Sequence, residues 1–138
     1  MAKYKRGYTA GVYDMFHIGH LNVIRNAKEL CDFLVVAVST DELVRNYKNK
    51  TPIIPFANRI QIVSAIKHVD LAVPQSDMDK KAAALKYNAD VMFVGDDWKG
   101  TEKWNRIEAD LKAIGIDVIY LPHTDGISSS ILREILKK

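Results

Sequence analysis

The sequence predicts a single α/β domain in which an open parallel sheet is flanked by helices. Two observations lead to this fold class. Short apolar runs alternate with stretches of helical periodicity along the whole chain, and some of those runs are uninterrupted, which is typical of strands covered on both faces. The length of 138 residues favours one domain, which we expect to span residues 1–138.

In the first part of the chain, a strand is predicted wherever an apolar run is continuous and a helix wherever apolar residues recur every three or four positions. The valine-rich apolar run 33–38 is of the first kind, and the stripe that begins at Leu21 is of the second kind. The polar stretch 45–51 is predicted to be a mobile loop, and Pro74 is predicted to close the short third strand. The predicted elements are strand 8–13, helix 21–30, strand 33–38, helix 60–66 and strand 70–73.

In the second part, glycine and proline mark where the predicted elements end. Gly95 stops a buried apolar strand, Gly115 ends an amphipathic helix, and Pro122 ends the last strand. The segment 78–87, rich in Lys and Ala, is predicted to be a helix. The predicted elements are helix 78–87, strand 91–94, helix 104–114, strand 116–121 and helix 128–136.

The composition excludes several classes of protein. Hydrophobic residues make up 48% and charged residues 27% of the chain, a globular balance that argues against disorder or a coiled coil. No apolar run approaches the length of a membrane span, and we expect no signal peptide. The net charge of +3 is too small and too dispersed to predict nucleic-acid binding. Cys31 is the single cysteine, which predicts a reducing, cytoplasmic location.

Two histidines follow the first predicted strand, at the edge of the sheet where such folds bind ligands. His17 and His20 lie three positions apart at the start of a predicted helix, so they share a face. A helix N-terminus favours anions, and Gly19 lets a phosphate approach the backbone. This arrangement suits the stabilisation of charge on a polyphosphate. The alternatives are two unrelated surface histidines or a zinc site, although no further residues show ligand spacing.

The segment Gly11-x-Tyr13-Asp14-x-x-His17-x-Gly19-His20 resembles the first signature of the nucleotidylyltransferase superfamily, in its cytidylyltransferase form. The segment Thr124-Asp125-Gly126-Ile127-Ser128-Ser129-Ser130 resembles the second signature. The segments 39–42 and 95–98 are similar to parts of the glycerol-3-phosphate cytidylyltransferases. The resemblance covers nearly the whole chain and implies the Rossmann-like fold of the HIGH superfamily.

The resemblance implies transfer of CMP from CTP to a phosphorylated alcohol, with glycerol 3-phosphate as the expected acceptor and CDP-glycerol and pyrophosphate as products. It implies Mg²⁺ as the cofactor, a homodimer and a role in cell-envelope biosynthesis. Catalytic roles are implied for His17, His20, Lys48 and Arg59. Nucleotide contacts are implied for Gly11, Val12, Tyr13, Asp14, Gly19, Lys50, Asp97, Thr124, Gly126, Ile127 and Ser128. Contacts with the acceptor are implied for Lys67, Trp98 and His123.

Several of these residues also have a simpler interpretation. Lys48 and Lys50 either fold over a triphosphate or belong to the solvated surface. Asp97 and the carboxylate before it either bind Mg²⁺ or a base amino group, or form a capped turn beside a core Trp98. Asp14 is expected to fix either the metal or the first loop. Ser128 is expected to cap the last helix, to hold phosphate, or to do both.

Three positions depart from the family pattern and leave the acceptor open. His123 and Lys67 stand where the family tends to carry arginine, and so lose the bidentate fork that suits phosphate. Val12 replaces a common threonine. The alternatives are another acceptor (phosphoethanolamine, phosphocholine or another polyol phosphate), an adenylyltransferase that uses ATP, or a nucleotide-binding regulatory module without turnover.

Overall fold

Strands and helices alternate along residues 3–124 and 129–136, the part of the chain that this computed structural model describes. The strands are β1 (Tyr4–Gly11), β2 (Cys31–Ser39), β3 (Leu71–Gln75), β4 (Val91–Gly95) and β5 (Asp117–Leu121). The helices are α1 (Ile18–Glu29), α2 (Asp41–Lys48), α3 (Phe56–Ser64), α4 (Lys80–Lys86), α5 (Glu102–Ala113) and α6 (Ser129–Leu136). Within these ranges, none of the helices combines the length and the apolar character that crossing a bilayer requires.

The strands form one parallel sheet in the order β3-β2-β1-β4-β5. The chain builds outward from β1 to β3, then crosses back and places β4 on the other side of β1. The strand order therefore reverses between β1 and β4, and a crevice forms beyond their carboxyl ends. This topology confirms the predicted Rossmann-like α/β architecture.

Both faces of the sheet are covered, as the continuous apolar run in β2 predicts. Leu34, Val36 and Val38 belong to an apolar cluster that includes residues of α1 and α3. Val35 and Ala37 belong to a second cluster that includes residues of α4 and α5. All five residues are fully buried, so the sheet is a rigid platform for the loops at its carboxyl edge.

The first strand differs from the predicted range 8–13. It begins at Tyr4, because residues 4–7 already pair with β2, and it ends at Gly11. Tyr13 has a φ of 55°, a left-handed conformation that ends the extended chain. The loop that carries the two histidines therefore starts two residues earlier than predicted.

The predicted mobile loop 45–51 is in part helical. Thr40 caps the N-terminus of α2 by accepting a hydrogen bond from the Leu43 amide at 3.2 Å. The helix continues to Lys48 and ends at Asn49, which has a φ of 55°. The polar composition misled the prediction, because α2 buries only a short apolar side with Leu43 and Val44.

Pro74 lies inside β3 rather than after it. β3 is an edge strand, where proline is tolerated because one row of backbone groups has no partner strand. The carbonyl of Gln75 accepts a hydrogen bond from Thr40 at 3.0 Å. Since adjacent residues direct their backbone groups to opposite sides, the nitrogen of Pro74 faces outward and no bond of the sheet is lost.

We predict that Gly7→Ala destabilises the protein, because a Cβ at Gly7 would lie 2.5 Å from Cε2 of Phe93 and 2.9 Å from Sγ of Cys31. The expected loss in unfolding free energy is about 1–3 kcal/mol, measured by urea denaturation. Gly95→Ala is the control, because its φ of −62° suits alanine and nothing lies within 4 Å of its Cβ. Equal stability of the two variants would contradict the close packing at Gly7.

Candidate active site

Two adjoining cavities open at the carboxyl ends of β1 and β4. The first, the His20 cavity, has a volume of about 420 Å³ and lies on the α1 side of the sheet. The second, the Lys80 cavity, has a volume of about 380 Å³ and lies on the α4 and α5 side. The residues that line both cavities are Ala10, Gly11, Val12, Lys48, Gly95 and Trp98.

Many of the residues singled out in the sequence meet in the His20 cavity. They come from the end of β1 and the loop after it, from the first turn of α1, from the end of α2 and the residues after it, and from the turn after β4. Of the residues predicted for the site, those that line this cavity are Gly11, Val12, Tyr13, Asp14, His20, Lys48, Lys50, Asp97 and Trp98.

His17 and His20 cap the first turn of α1 with their own rings. Nδ1 of His17 accepts a hydrogen bond from the Gly19 amide at 3.0 Å, and Nδ1 of His20 accepts one from the His17 amide at 3.2 Å. The two rings stack with their centres 3.8 Å apart. Because each Nδ1 is an acceptor, the proton of each neutral imidazole lies on Nε2. Gly19 thus contributes its amide to the cap.

The outer nitrogens of the two rings are therefore hydrogen-bond donors. His20 lines the cavity, whereas His17 lies behind it in the stack. Nε2 of His17 is buried and has no hydrogen-bond partner among the described residues. A buried donor without a partner costs about 1–3 kcal/mol, and an anionic oxygen in reach would remove that cost.

Both imidazoles are neutral at pH 7. Burial lowers the pKa of His17. Burial also lowers the pKa of His20 to about 4, with a further lowering by the neighbouring His17 and an opposing effect of Asp14. The pair therefore offers neutral N–H donors rather than positive charge, and a neutral donor still stabilises charge that develops on a ligand oxygen.

Asp14 fastens the loop after β1 to the segment before α3. Its side chain is 2% exposed, and its two oxygens accept hydrogen bonds from the amides of Ile53 and Ile54, both at 2.8 Å. Of the two roles considered for Asp14, this geometry favours holding the loop.

Arg59 lies beneath the site and lines neither cavity. Its guanidinium is buried and donates to the carbonyls of Ile54, Val12 and Ser39 at 2.7–2.8 Å. It also forms an ion pair with Asp41 at 2.6 Å. The catalytic role implied for Arg59 stays a prediction. In this structure its side chain positions the loops.

The two lysines after β2 face the cavities. Lys48 is the last residue of α2 and lines both cavities, and Lys50 lines the His20 cavity. Because these exposed ammonium groups stand on the walls next to His20, the geometry favours the interpretation in which they neutralise an anion over that of a solvated surface.

The turn after β4 brings two carboxylates, a histidine and a tryptophan together. Nδ1 of His123 lies 3.0 Å from Oδ1 of Asp96 and 3.5 Å from Oδ1 of Asp97. Trp98 is 50% exposed and lines both cavities, so it is not a core residue. Ligand atoms of Asp96, Asp97 and His123 lie within 4.8 Å of one another. Carboxylate oxygens of this kind fit Mg²⁺, which prefers oxygen ligands.

The remaining predicted residues lie elsewhere. Lys67 is exposed in the turn between α3 and β3 and lines neither cavity. α3 starts at the carboxyl edge of the sheet and runs back along it, which carries Lys67 away from the site within one chain. Thr124 accepts a hydrogen bond from Nδ2 of Asn22 at 2.8 Å and is thereby joined to α1. Gly126, Ile127 and Ser128 lie outside the described residues.

Sequence reasoning missed two lysines of the Lys80 cavity. Lys80 is the first residue of α4, and Lys103 lies in the first turn of α5. Both belong to charged, solvent-facing patterns, which favour a surface interpretation. The available signal was their position, since each helix begins soon after the carboxyl end of a strand.

We predict that acid destabilises the folded protein through His20. The unfolded chain gains a proton at this residue near pH 6.5, whereas the folded chain gains it only near pH 4. Stability is therefore lost as the pH falls through this window, by up to about 3 kcal/mol. His20→Gln removes the titrating group, so the difference in unfolding free energy between wild type and variant should shrink from pH 6.5 to pH 4. A difference that does not vary with pH would contradict the buried, neutral ring.

We predict that Arg59→Met destabilises the protein by about 3 kcal/mol or more, because it leaves three carbonyls and the Asp41 carboxylate without their donor. Thermal and urea unfolding without ligand would measure the loss. Arg106→Met is the matched control, since Arg106 is exposed and forms only a 3.7 Å pair with Glu102, and it should cost less than about 0.5 kcal/mol. An Arg59 variant as stable as this control would refute the positioning role.

Comparison with known proteins places this geometry in a family. A family model described as cytidylyltransferase-like matches residues 8–135. A glycerol-3-phosphate cytidylyltransferase of Staphylococcus aureus is 35% identical over 96% of this chain and 95% of its own length. An FAD synthase of Korarchaeum cryptofilum is 36% identical over 96% of this chain and 92% of its own length.

A solved structure gives the same result for the fold. The lipopolysaccharide core biosynthesis protein of Thermoplasma volcanium superimposes with a TM-score of 0.73 and 29% identity, over 88% of this chain and 97% of that one. The family model matches most of the chain, and the relatives align over nearly their full lengths. The chain with the stacked His17–His20 pair therefore belongs to the cytidylyltransferase-like family of nucleotidyltransferases.

Proposed function

We propose that this protein transfers the CMP moiety of CTP to a phosphorylated alcohol, with glycerol 3-phosphate as the acceptor and CDP-glycerol and pyrophosphate as products. The observation that carries the proposal is the pair of neutral imidazoles at the β1–β4 crevice. His20 lines a cavity together with Lys48 and Lys50, His17 stacks against the His20 ring, and this cavity adjoins a second one.

In this proposal each of the two cavities binds one of the two substrates. The triphosphate lies in the His20 cavity, where His20, Lys48 and Lys50 supply donors and positive charge. The acceptor lies in the Lys80 cavity. Because Lys48 and Trp98 line both cavities, the reacting phosphorus lies at the junction next to them.

The reaction needs no nucleophile from the protein. A phosphate oxygen of the acceptor attacks the α-phosphorus of CTP, and the bond to the departing pyrophosphate oxygen breaks in line with it. Catalysis then consists of positioning and electrostatic stabilisation. The Nε2–H of His20 donates to a phosphate oxygen from the cavity wall, and the buried Nε2–H of His17 behind it reaches a phosphate oxygen only once the nucleotide is bound. Lys48 and Lys50 offset the charge on the leaving pyrophosphate.

Asp96 and Asp97 are the residues whose oxygens fit a Mg²⁺ ion at this site. When bound with CTP, Mg²⁺ supplies charge neutralisation for the phosphates. Asp14 is not proposed as a ligand, because both of its oxygens accept backbone hydrogen bonds.

Wider proposals follow from the resemblance of the sequence to the family. We propose a homodimer, a cytoplasmic location and a product that feeds the synthesis of cell-envelope polymers. The free, buried Cys31 supports a reducing compartment. Size-exclusion chromatography with light scattering tests the dimer.

An adenylyltransferase that uses ATP is the second candidate function. It is favoured by the FAD synthase relative, whose identity of 36% to this chain is similar to the 35% of the glycerol-3-phosphate cytidylyltransferase. Release of pyrophosphate from CTP and from ATP, measured side by side with the same acceptors, separates the two. A clear preference for ATP would overturn the proposal that CTP is the donor.

We predict that His17→Ala and His20→Ala lower kcat for pyrophosphate release from CTP and glycerol 3-phosphate by about 100-fold or more. KM should change less, because the hydrogen bonds from Nε2 strengthen as charge develops in the transition state. His68→Ala is the control, since His68 lies in the turn after α3 and lines neither cavity. Turnover that survives both substitutions would contradict the mechanism.

A further inference from the structure

The Lys80 cavity carries positive charge and no balancing carboxylate on its walls. Within the part of the chain that the structure describes, its charged lining residues are Lys48, Lys80 and Lys103, and none is acidic. The rest of the wall is aromatic, aliphatic or neutral and polar. A small molecule in this cavity therefore meets a field of one sign.

Lys80 is the most enclosed of these charges. It is half-buried, and no described residue forms a hydrogen bond or an ion pair with its ammonium group. Its charged neighbours are Lys103, which repels it, and Asp77, which attracts it. Burial and Lys103 lower the pKa of Lys80 to about 8, so the group remains largely protonated at pH 7.

The place of Lys80 and Lys103 indicates which part of the acceptor they meet. Of the two cavities at the site, Lys80 and Lys103 line only this one, whereas Lys48 also lines the His20 cavity. The acceptor phosphate has to reach the junction beside Lys48 in order to attack. The opposite end of the acceptor then lies toward Lys80 and Lys103.

The aromatic wall alone would suit a cationic end group. Tyr8, Trp98 and Trp104 line the cavity, and aromatic faces attract ammonium and trimethylammonium groups. The two lysines oppose that attraction by direct repulsion. Neutral hydroxyl groups find Ser39 and Gln75 on the same wall, already joined by a hydrogen bond of 2.7 Å.

We propose that Lys80 and Lys103 select the acceptor by its charge, so that the cavity accepts phosphorylated alcohols whose far end carries hydroxyl or anionic groups and rejects those that end in an ammonium group. This inference rests on the proposed function. It places phosphoethanolamine and phosphocholine among the excluded acceptors and glycerol 3-phosphate among the accepted ones. Rejection by an unpaired like charge is a common source of specificity.

The test measures kcat/KM for pyrophosphate release from CTP with glycerol 3-phosphate, 3-phosphoglycerate and phosphoethanolamine. We expect the wild-type protein to use the first two at least about 30-fold better than the third. Lys80→Glu should reduce that ratio by about tenfold or more, by impairing the anionic acceptors and aiding phosphoethanolamine. Lys81→Glu is the matched control, because Lys81 is exposed on the same helix, lines none of the cavities and gives the same change in net charge; it should leave the ratio unchanged.

Lys103→Glu is the second variant, in case Lys80→Glu does not fold, and should shift the ratio in the same direction. The inference is overturned if wild-type protein uses phosphoethanolamine as well as glycerol 3-phosphate, or if the variants keep the ratio of the Lys81 control. If no acceptor releases pyrophosphate from CTP, the proposed function fails and this inference fails with it. The two failures are therefore distinct.

Discussion

The site depends on one buried cation, the guanidinium of Arg59. It joins the loop after β1 at Val12, the end of β2 at Ser39 and the segment before α3 at Ile54, and Asp41 balances its charge. A planar group with five donors is able to bridge several carbonyls at fixed angles, which a lysine cannot do. The Asp14 carboxylate also joins the loop after β1 to the segment before α3, by accepting hydrogen bonds from two backbone amides of that segment. The loops beside the two cavities are thus held together by buried polar contacts.

Next to these loops, burial sets the protonation state of the two histidines. A low pKa keeps the rings neutral, and the cap of α1 uses their Nδ1 atoms. The proton that remains on each ring is therefore on the outer nitrogen. One local motif sets the start of the helix, the tautomer of each ring and the direction of its donor, so two histidines three positions apart with an intervening glycine form one structural unit.

Sequence alone predicted the features that depend on local patterns. The run 33–38 predicted a strand covered on two faces, and the spacing after β1 predicted that His17 and His20 share a face at the start of α1. The contacts of Arg59 and Asp14 were not predictable, because their partners are backbone groups that are distant in sequence and only the fold brings them near. The position of Lys80 in a cavity was missed because a lysine in a Lys- and Ala-rich helix has the pattern of a solvated residue. The Lys67 interpretation came from the resemblance, and the path of α3 leads it away from the cavities.

Pro74 has a consequence for the protein at high concentration. The outer row of β3 is the place where another copy of the chain would add a strand, and Leu71 leaves apolar surface there at 40% exposure. The nitrogen of Pro74 faces outward and carries no hydrogen. One carbonyl of an added strand would therefore lack a hydrogen-bond donor within this five-residue segment. This single proline thus disfavours the addition of further strands at this edge and opposes aggregation of the chain through it.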